Sequence, residues 1–137
     1  MLDLDVEPSS VSSTLIGVVA QRMVRKICKN CRAPYQPTTI ELDSYIQEMQ
    51  EPAEVFFHGA GCNLCANTGY RGRTGIFELL TMSEPVRKLL RGNASAAEIK
   101  EQAVSEGMIT MKRDGMIKAG NGTTTIGEVL RSVFSIN

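Results

Sequence analysis

Hydrophobic positions recur along this chain with two different spacings. Leu15, Val19, Met23 and Ile27 stand at every fourth residue, with Ile16 and Val24 widening the stripe, which predicts an amphipathic helix from about Ser12 to Ile27. The serines ahead of it offer caps, and Arg22, Arg25 and Lys26 in its last two turns suit the negative end of a helix dipole. The first six residues, with Pro8, read as a connector. A second helix is expected over Thr39 to Met49, with Ile40, Ile46 and Met49 as a thin apolar face and Pro52 as its stop. Between the two, Ala33 to Pro37 reads as an extended turn, because each proline restricts itself and its predecessor.

Short strands are expected over Glu54 to His58 and Ile76 to Leu80, the second after a glycine-rich link. The rest reads as helices. Ser83 can cap one that has Pro85 in its first turn; Ser95 with Glu98 and Thr125 with Glu128 have capping-box spacing; Gly92, Gly107 and Gly120 to Gly122 supply stops. Each of these helices has one apolar side (Leu89 and Leu90; Ile99 and Ala103; Met108, Met111 and Ile117; Val129, Leu130 and Val133) and none is long enough to stand alone, so they must pack together.

Composition narrows the function classes. Of 137 residues 42% are hydrophobic but only 5% aromatic, and 15 Lys and Arg balance 15 Asp and Glu, so no net field draws the molecule toward nucleic acid or acidic lipid. The charge is uneven: Arg22 to Arg32 is basic and contains no acid, while Glu41 to Glu54 is acidic. The longest clear apolar run, Leu15 to Ala20, is far below the roughly 18 residues of a membrane span, and Asp3, Asp5 and Glu7 stand where a secretory signal would be basic. A cytoplasmic chain is expected, in which paired cysteines are rarely disulfides.

The four cysteines form two identical pairs, Cys28-x-x-Cys31 and Cys62-x-x-Cys65. Two such knuckles complete a tetrahedral four-sulfur site, for which zinc is the expected ion; iron, a disulfide pair and vacant thiols are the alternatives. A closed site leaves no position for water, so its role would be structural, with no catalytic residues and no organic cofactor site. Four thiolates on a divalent ion carry a double negative charge, and Lys26, Lys29, Arg32, Arg71 and Arg73 lie near enough in sequence to offset it. His58 reads as a polar residue at a strand end, and Asp43, Glu48, Glu51 and Glu54 as a solvated face. The stretch Gly69 to Gly75 is not a phosphate loop, since no Gly-Lys dipeptide occurs in the chain. The fold class expected is therefore α/β, mainly α: a zinc knuckle subdomain over 28–80 between a connector and helix over 1–27 and a helical subdomain over 81–137. A zinc-ribbon nucleic-acid binder using the basic run, and a thiol redox or iron protein, are the competing readings.

Several motifs in order carry a family resemblance: Val6-Glu-Pro8, Gly17 to Cys28, the cysteine pairs, Thr68-Gly-Tyr-Arg-Gly-Arg-Thr-Gly-Ile-Phe-Glu78, Asp114-Gly115 and Gly122 to Arg131. Together they resemble the C-terminal portion of the type II secretion and type IV pilus assembly ATPases. The resemblance implies a hexameric parent with a RecA-like motor that uses ATP and Mg2+, cytoplasmic and peripheral at the inner membrane. It implies partners among neighbouring subunits, the rest of the motor and inner-membrane platform proteins, with no nucleic acid. It matches Cys28, Cys31, Cys62 and Cys65 to the ligands of a structural zinc. The parent's nucleotide-binding boxes would precede Met1, so this chain is not expected to hydrolyse ATP by itself.

Overall fold

The computed structural model describes residues 4–134. In chain order the elements are α1 (Pro8–Thr14), β1 (Gly17–Ile27), β2 (Arg32–Tyr35), α2 (Thr39–Met49), β3 (Phe56–Gly59), β4 (Tyr70–Thr81), α3 (Glu84–Arg91), α4 (Ala96–Ser105), α5 (Met111–Gly120) and α6 (Ile126–Phe134). The chain is mixed α/β and mainly helical, the class expected, with two two-stranded sheets that pair β1 with β4 and β2 with β3.

The first helix expected is not there. From Gly17 to Ile27 the chain is a strand, and helix is confined to Pro8–Thr14, which Pro8 opens. A repeat of four is also a multiple of two, so Leu15, Val19, Met23 and Ile27 satisfy strand periodicity equally well. Three valines and an isoleucine, β-branched residues that suit a pleated surface, then favour the strand. Burial confirms that the stripe was not a core face: Val24 and Ile27 are enclosed, whereas Val19 is 64% and Met23 48% exposed. The second strand is longer than expected. It begins at Tyr70 and takes in the glycine-rich link, because β1 offers a partner along that length. Of the connector expected over the first six residues, 1–3 lie outside the described residues.

Contacts divide the chain into two compact units, with boundaries inside β1, inside β4 and between α4 and α5. One unit comprises the residues up to Ala20 together with Glu78–Thr110. Here α3 packs on α1 and α4, burying Val11, Met82, Val86 and Ala103. Ser83 caps α3, and the Ser95–Glu98 capping box at α4 forms as expected.

The other unit comprises Gln21–Phe77 and the residues from Met111 onward. β2 and β3 are antiparallel, in a register that opposes Arg32 to Gly59 and Tyr35 to Phe56. α2 runs over the expected span and is closed by a capping box of Thr38 and Glu41. Its Tyr45 meets Phe56 edge to face at 4.9 Å, and Met116, Ala119, Ile126 and Val129 from α5 and α6 complete the core. The Asp114-Gly115 motif has a packing reason at its second residue, since a Cβ on Gly115 would sit 2.4 Å from Val129 Cγ1. The Thr125–Glu128 spacing forms half a capping box. Thr125 Oγ1 accepts from the Glu128 N–H at 3.2 Å, but the Glu128 carboxylate turns to Arg25 at 2.7 Å and to Arg131.

Glu128 is buried. Burial is the largest single influence on its pKa and pushes it up; the hydrogen bonds and charges of Arg25 and then Arg131 together outweigh burial and hold it below the usual carboxylate value. A carboxylate shifted this way contributes stability at neutral pH and loses it as pH falls through its folded value. The expected result for Glu128→Gln is a loss of about 1.5–3 kcal/mol in urea melts at pH 7. The gap between the two proteins should narrow as pH falls below 4.5, the ordinary value for this group. Gly115→Ala should cost about 1–3 kcal/mol through overpacking, and reducing Val129 to alanine in the same chain should recover part of it in a thermal melt.

Candidate metal centre

Each cysteine pair sits at the end of a strand. Cys28 follows β1 directly and Cys31 precedes β2; Cys62 follows β3, and Cys65 closes a 3-10 turn over Asn63–Cys65 before β4. The β2–β3 ladder brings them together, because the pair Arg32 and Gly59 lies at the end of both strands from which the two knuckles project. One backbone bond beyond the ladder, Ala60 N–H to the Cys31 carbonyl at 2.9 Å, extends the pairing to the first knuckle. From the other side the Cys28 N–H donates to the Gly69 carbonyl at 2.9 Å.

The four sulfurs converge, all lying within 4.8 Å of one another. Cys28 to Cys62 and Cys31 to Cys65 both measure 3.8 Å, and Cys62 to Cys65 measures 3.7 Å. A disulfide needs about 2.05 Å, so these are separate sulfurs. A regular tetrahedron with metal–sulfur bonds of about 2.3 Å has edges of about 3.8 Å, which three of the six sulfur–sulfur edges match, so the donor set suits a single tetrahedral ion.

Backbone amides support the sulfurs. Gly61 N–H donates to Cys31, and the N–H groups of Cys62 and Gly69 donate to Cys65, each at 3.3 Å. For Cys65, burial is the largest influence and raises its pKa, but those amides and the neighbouring thiols outweigh it and bring it down to about 6. Cys62 is lowered first by the Asn30 side chain. Cys31, with only the Gly61 amide opposing burial, is pushed up to about 11. Asn30, Gly61 and Gly69 were not singled out from the sequence, and only their nearness to the cysteines could have marked them.

The cations expected around the sulfurs are placed differently. None of Lys26, Lys29, Arg32, Arg71 and Arg73 hydrogen-bonds a sulfur among the described residues, and at Cys31 and Cys65 the donors are backbone N–H groups instead. Arg32 lies over the Phe57 ring at 3.9 Å, and Lys26, Lys29 and Arg71 line a groove beside Cys28. His58 is within β3, opposite Ala33, with its ring 5.3 Å from that of Tyr35 and away from the sulfur set. Of the acidic residues, Glu48 pairs with Lys112 at 3.7 Å while Asp43, Glu51 and Glu54 are exposed, so they do not assemble into a site.

Two glycines make the convergence possible. A Cβ on Gly59 would stand 1.9 Å from the Gly69 carbonyl oxygen, and one on Gly69, at φ +79°, would stand 2.4 Å from the Gly59 carbonyl oxygen. Both clashes are with backbone, which cannot rotate aside as a side chain can. Gly59→Ala and Gly69→Ala are each expected to cost about 3 kcal/mol or more and to speed labelling of the cysteines by a thiol reagent; Gly92→Ala, where a Cβ would meet only ordinary contacts at 3.5 Å, should leave that labelling rate unchanged.

A model of the family described as type II/IV secretion system protein matches residues 1–131. The chain is 40% identical over 129 residues to a type IV pilus assembly ATPase PilB of Thermus thermophilus, covering 93% of this chain and 14% of that protein. It is 40% identical over 131 residues to a type II secretion system protein E of Aeromonas hydrophila, covering 96% of this chain and 26% of the relative. A type II secretion system ATPase E of Vibrio cholerae is 34% identical over 94% of this chain and 25% of its own length. The chain thus spans about a quarter or less of these relatives. With a family model matched across nearly its whole length and the paired-cysteine site assembled, this chain belongs to the type II/IV secretion system protein family.

Proposed function

We propose that this chain is a non-catalytic structural and interaction module of an ATPase that powers type II secretion or type IV pilus assembly, and that its cysteines hold zinc. The observation that carries the reading is the sulfur arrangement, with three of its six edges at 3.7 to 3.8 Å and all four sulfurs within 4.8 Å of one another, which suits one closed tetrahedral ion. Cys28, Cys31, Cys62 and Cys65 would be the ligands. Bound zinc supplies a cross-link among them and no chemistry toward a substrate, since four sulfurs leave no open position.

What the cross-link would brace follows from the hydrogen bonds around it. The residues beside the sulfurs lead directly to the start of α6: the Ile27 N–H donates to the Thr123 carbonyl at 2.9 Å, Thr124 Oγ1 donates to the Arg25 carbonyl at 2.8 Å, and Tyr70 and Thr125 pair their hydroxyls at 2.8 Å. An ion joining the end of β1 to the segment before β4 would therefore also hold α6 on the strands. The relatives named above are ATPases or components of secretion and pilus systems. In the longer protein, ATP and Mg2+ would be handled by other segments, and this module would transmit force to neighbouring subunits or to an inner-membrane platform. No helix among the described residues is long and apolar enough to cross a membrane, which is compatible with a peripheral position on the cytoplasmic face.

Elemental analysis of the purified chain, with a thermal melt before and after chelation, tests the reading. Zinc in equimolar amount and a melting temperature lowered by 10 °C or more, on the order of a metal that binds only the folded form, are expected. Cys28→Ser and Cys62→Ser should abolish both the zinc and its contribution to the melt. A melt unmoved by complete removal of metal would refute the structural role.

A further inference from the structure

The basic residues of the unit that holds the cysteines fall into two groups. Arg25, Arg32, Lys112, Arg113, Lys118 and Arg131 each engage a carboxylate, a backbone carbonyl or an aromatic ring. The side chains of Arg22, Lys26, Lys29, Arg71 and Arg73 engage none among the described residues. All five lie on β1, on the first knuckle or at the start of β4, so the uncompensated charge is concentrated in one part of the fold.

The charge is also shaped. Lys26, Lys29, Arg71, Asn30 and Gly72 line an open groove of about 530 Å³ beside Cys28. Gly72 has φ +80° and no side chain, and a Cβ there would meet only the Lys26 stem, at 3.9 Å, so the groove wall at this point is bare backbone. These cations do not serve as hydrogen-bond donors to the sulfurs among the described residues, where backbone amides serve Cys31 and Cys65 and the Asn30 side chain serves Cys62. Their number also exceeds the double negative charge that four thiolates on a divalent ion would carry.

We infer that this groove is a docking site for an acidic, carboxylate-bearing segment of a partner protein. Three observations select that occupant. No aromatic side chain lines the groove, so it has no platform on which a nucleobase would stack. Asp43, Glu51 and Glu54, exposed in the same unit, and a net charge of zero oppose an extended polyanion such as duplex DNA but not a short acidic segment. Two lysine ammonium groups and one guanidinium lining a single groove suit carboxylates presented one after another along a peptide, the arginine pairing bidentately and the lysines as point charges. The inference extends the interaction role proposed above, and its test is independent of metal content, so one can fail without the other.

The experiment uses the 137-residue chain as purified and a fluorescein-labelled peptide of alternating Glu and Ser, read by anisotropy across a salt series. Saturable binding that weakens with salt is expected. The pair Lys29→Glu and Arg71→Glu should weaken it at least about tenfold, while Lys88→Glu and Lys100→Glu, an equal change of net charge on α3 and α4, should leave it within about twofold. Lys29→Gln with Arg71→Gln supplies the same comparison if the reversed pair fails to melt as the parent does. Absence of binding, equal weakening by the two pairs, or displacement of the peptide by inorganic phosphate, duplex DNA or phosphatidylglycerol vesicles at lower concentration than by unlabelled peptide would each overturn the inference.

Discussion

The close approach of two backbones, at Gly59 and Gly69, is the constraint from which the rest of the cysteine-bearing unit follows. Strand β3 ends and the chain returns past it toward β4 with no room for a side chain between them. That contact sets the second knuckle against the first, and it presents the Gly69 carbonyl to the Cys28 N–H and the Gly69 N–H to the Cys65 sulfur. Four sulfurs meet because the backbone around them is already in place. The uneven thiol pKa values fit this picture: Cys65, which accepts two amides, favours its thiolate, while Cys31, which accepts one, does not.

Charge in this unit follows a division of labour. Glu128 is enclosed and matched by two arginines, one of which, Arg25, also lies 4.2 Å over the Tyr70 ring. That cluster ties α6 to β1 and β4 and makes the start of the last helix sensitive to acid. The opposite case is the groove beside Cys28, where lysines and an arginine stand without partners among the described residues. Buried charge is costly unless it is paired, and exposed charge is not, so the first set is structural and the second is free to meet another molecule.

The misread helix shows where pattern alone is ambiguous. Leu15, Val19, Met23 and Ile27 fit a helical face and a strand face alike, and the arginines and lysines between them are good helix formers. What decided the matter was β4, more than forty residues further along the chain, with which β1 pairs. The same pairing drew Tyr70 to Gly75, read as a loop for its glycines, into a strand. By contrast α2 was legible in its span, and α3 and α4 down to their caps, because Ser83 and Ser95 act on donors three residues away and need no distant partner.

By itself, then, the amino-acid order determined what is local: the helices with their own caps, the paired spacing of the cysteines that makes a tetrahedral site chemically sensible, and the ordered motifs that match a family model across most of the chain. Tertiary structure alone decided what depends on residues far apart. It made β1 a strand, turned Glu128 from a cap toward Arg25 across 103 positions, and left some cations paired and others free. The physical reason is range. Capping and knuckle geometry act over three or four residues, whereas strand pairing, ion pairing and the approach of two glycine backbones depend on which distant segments folding brings together.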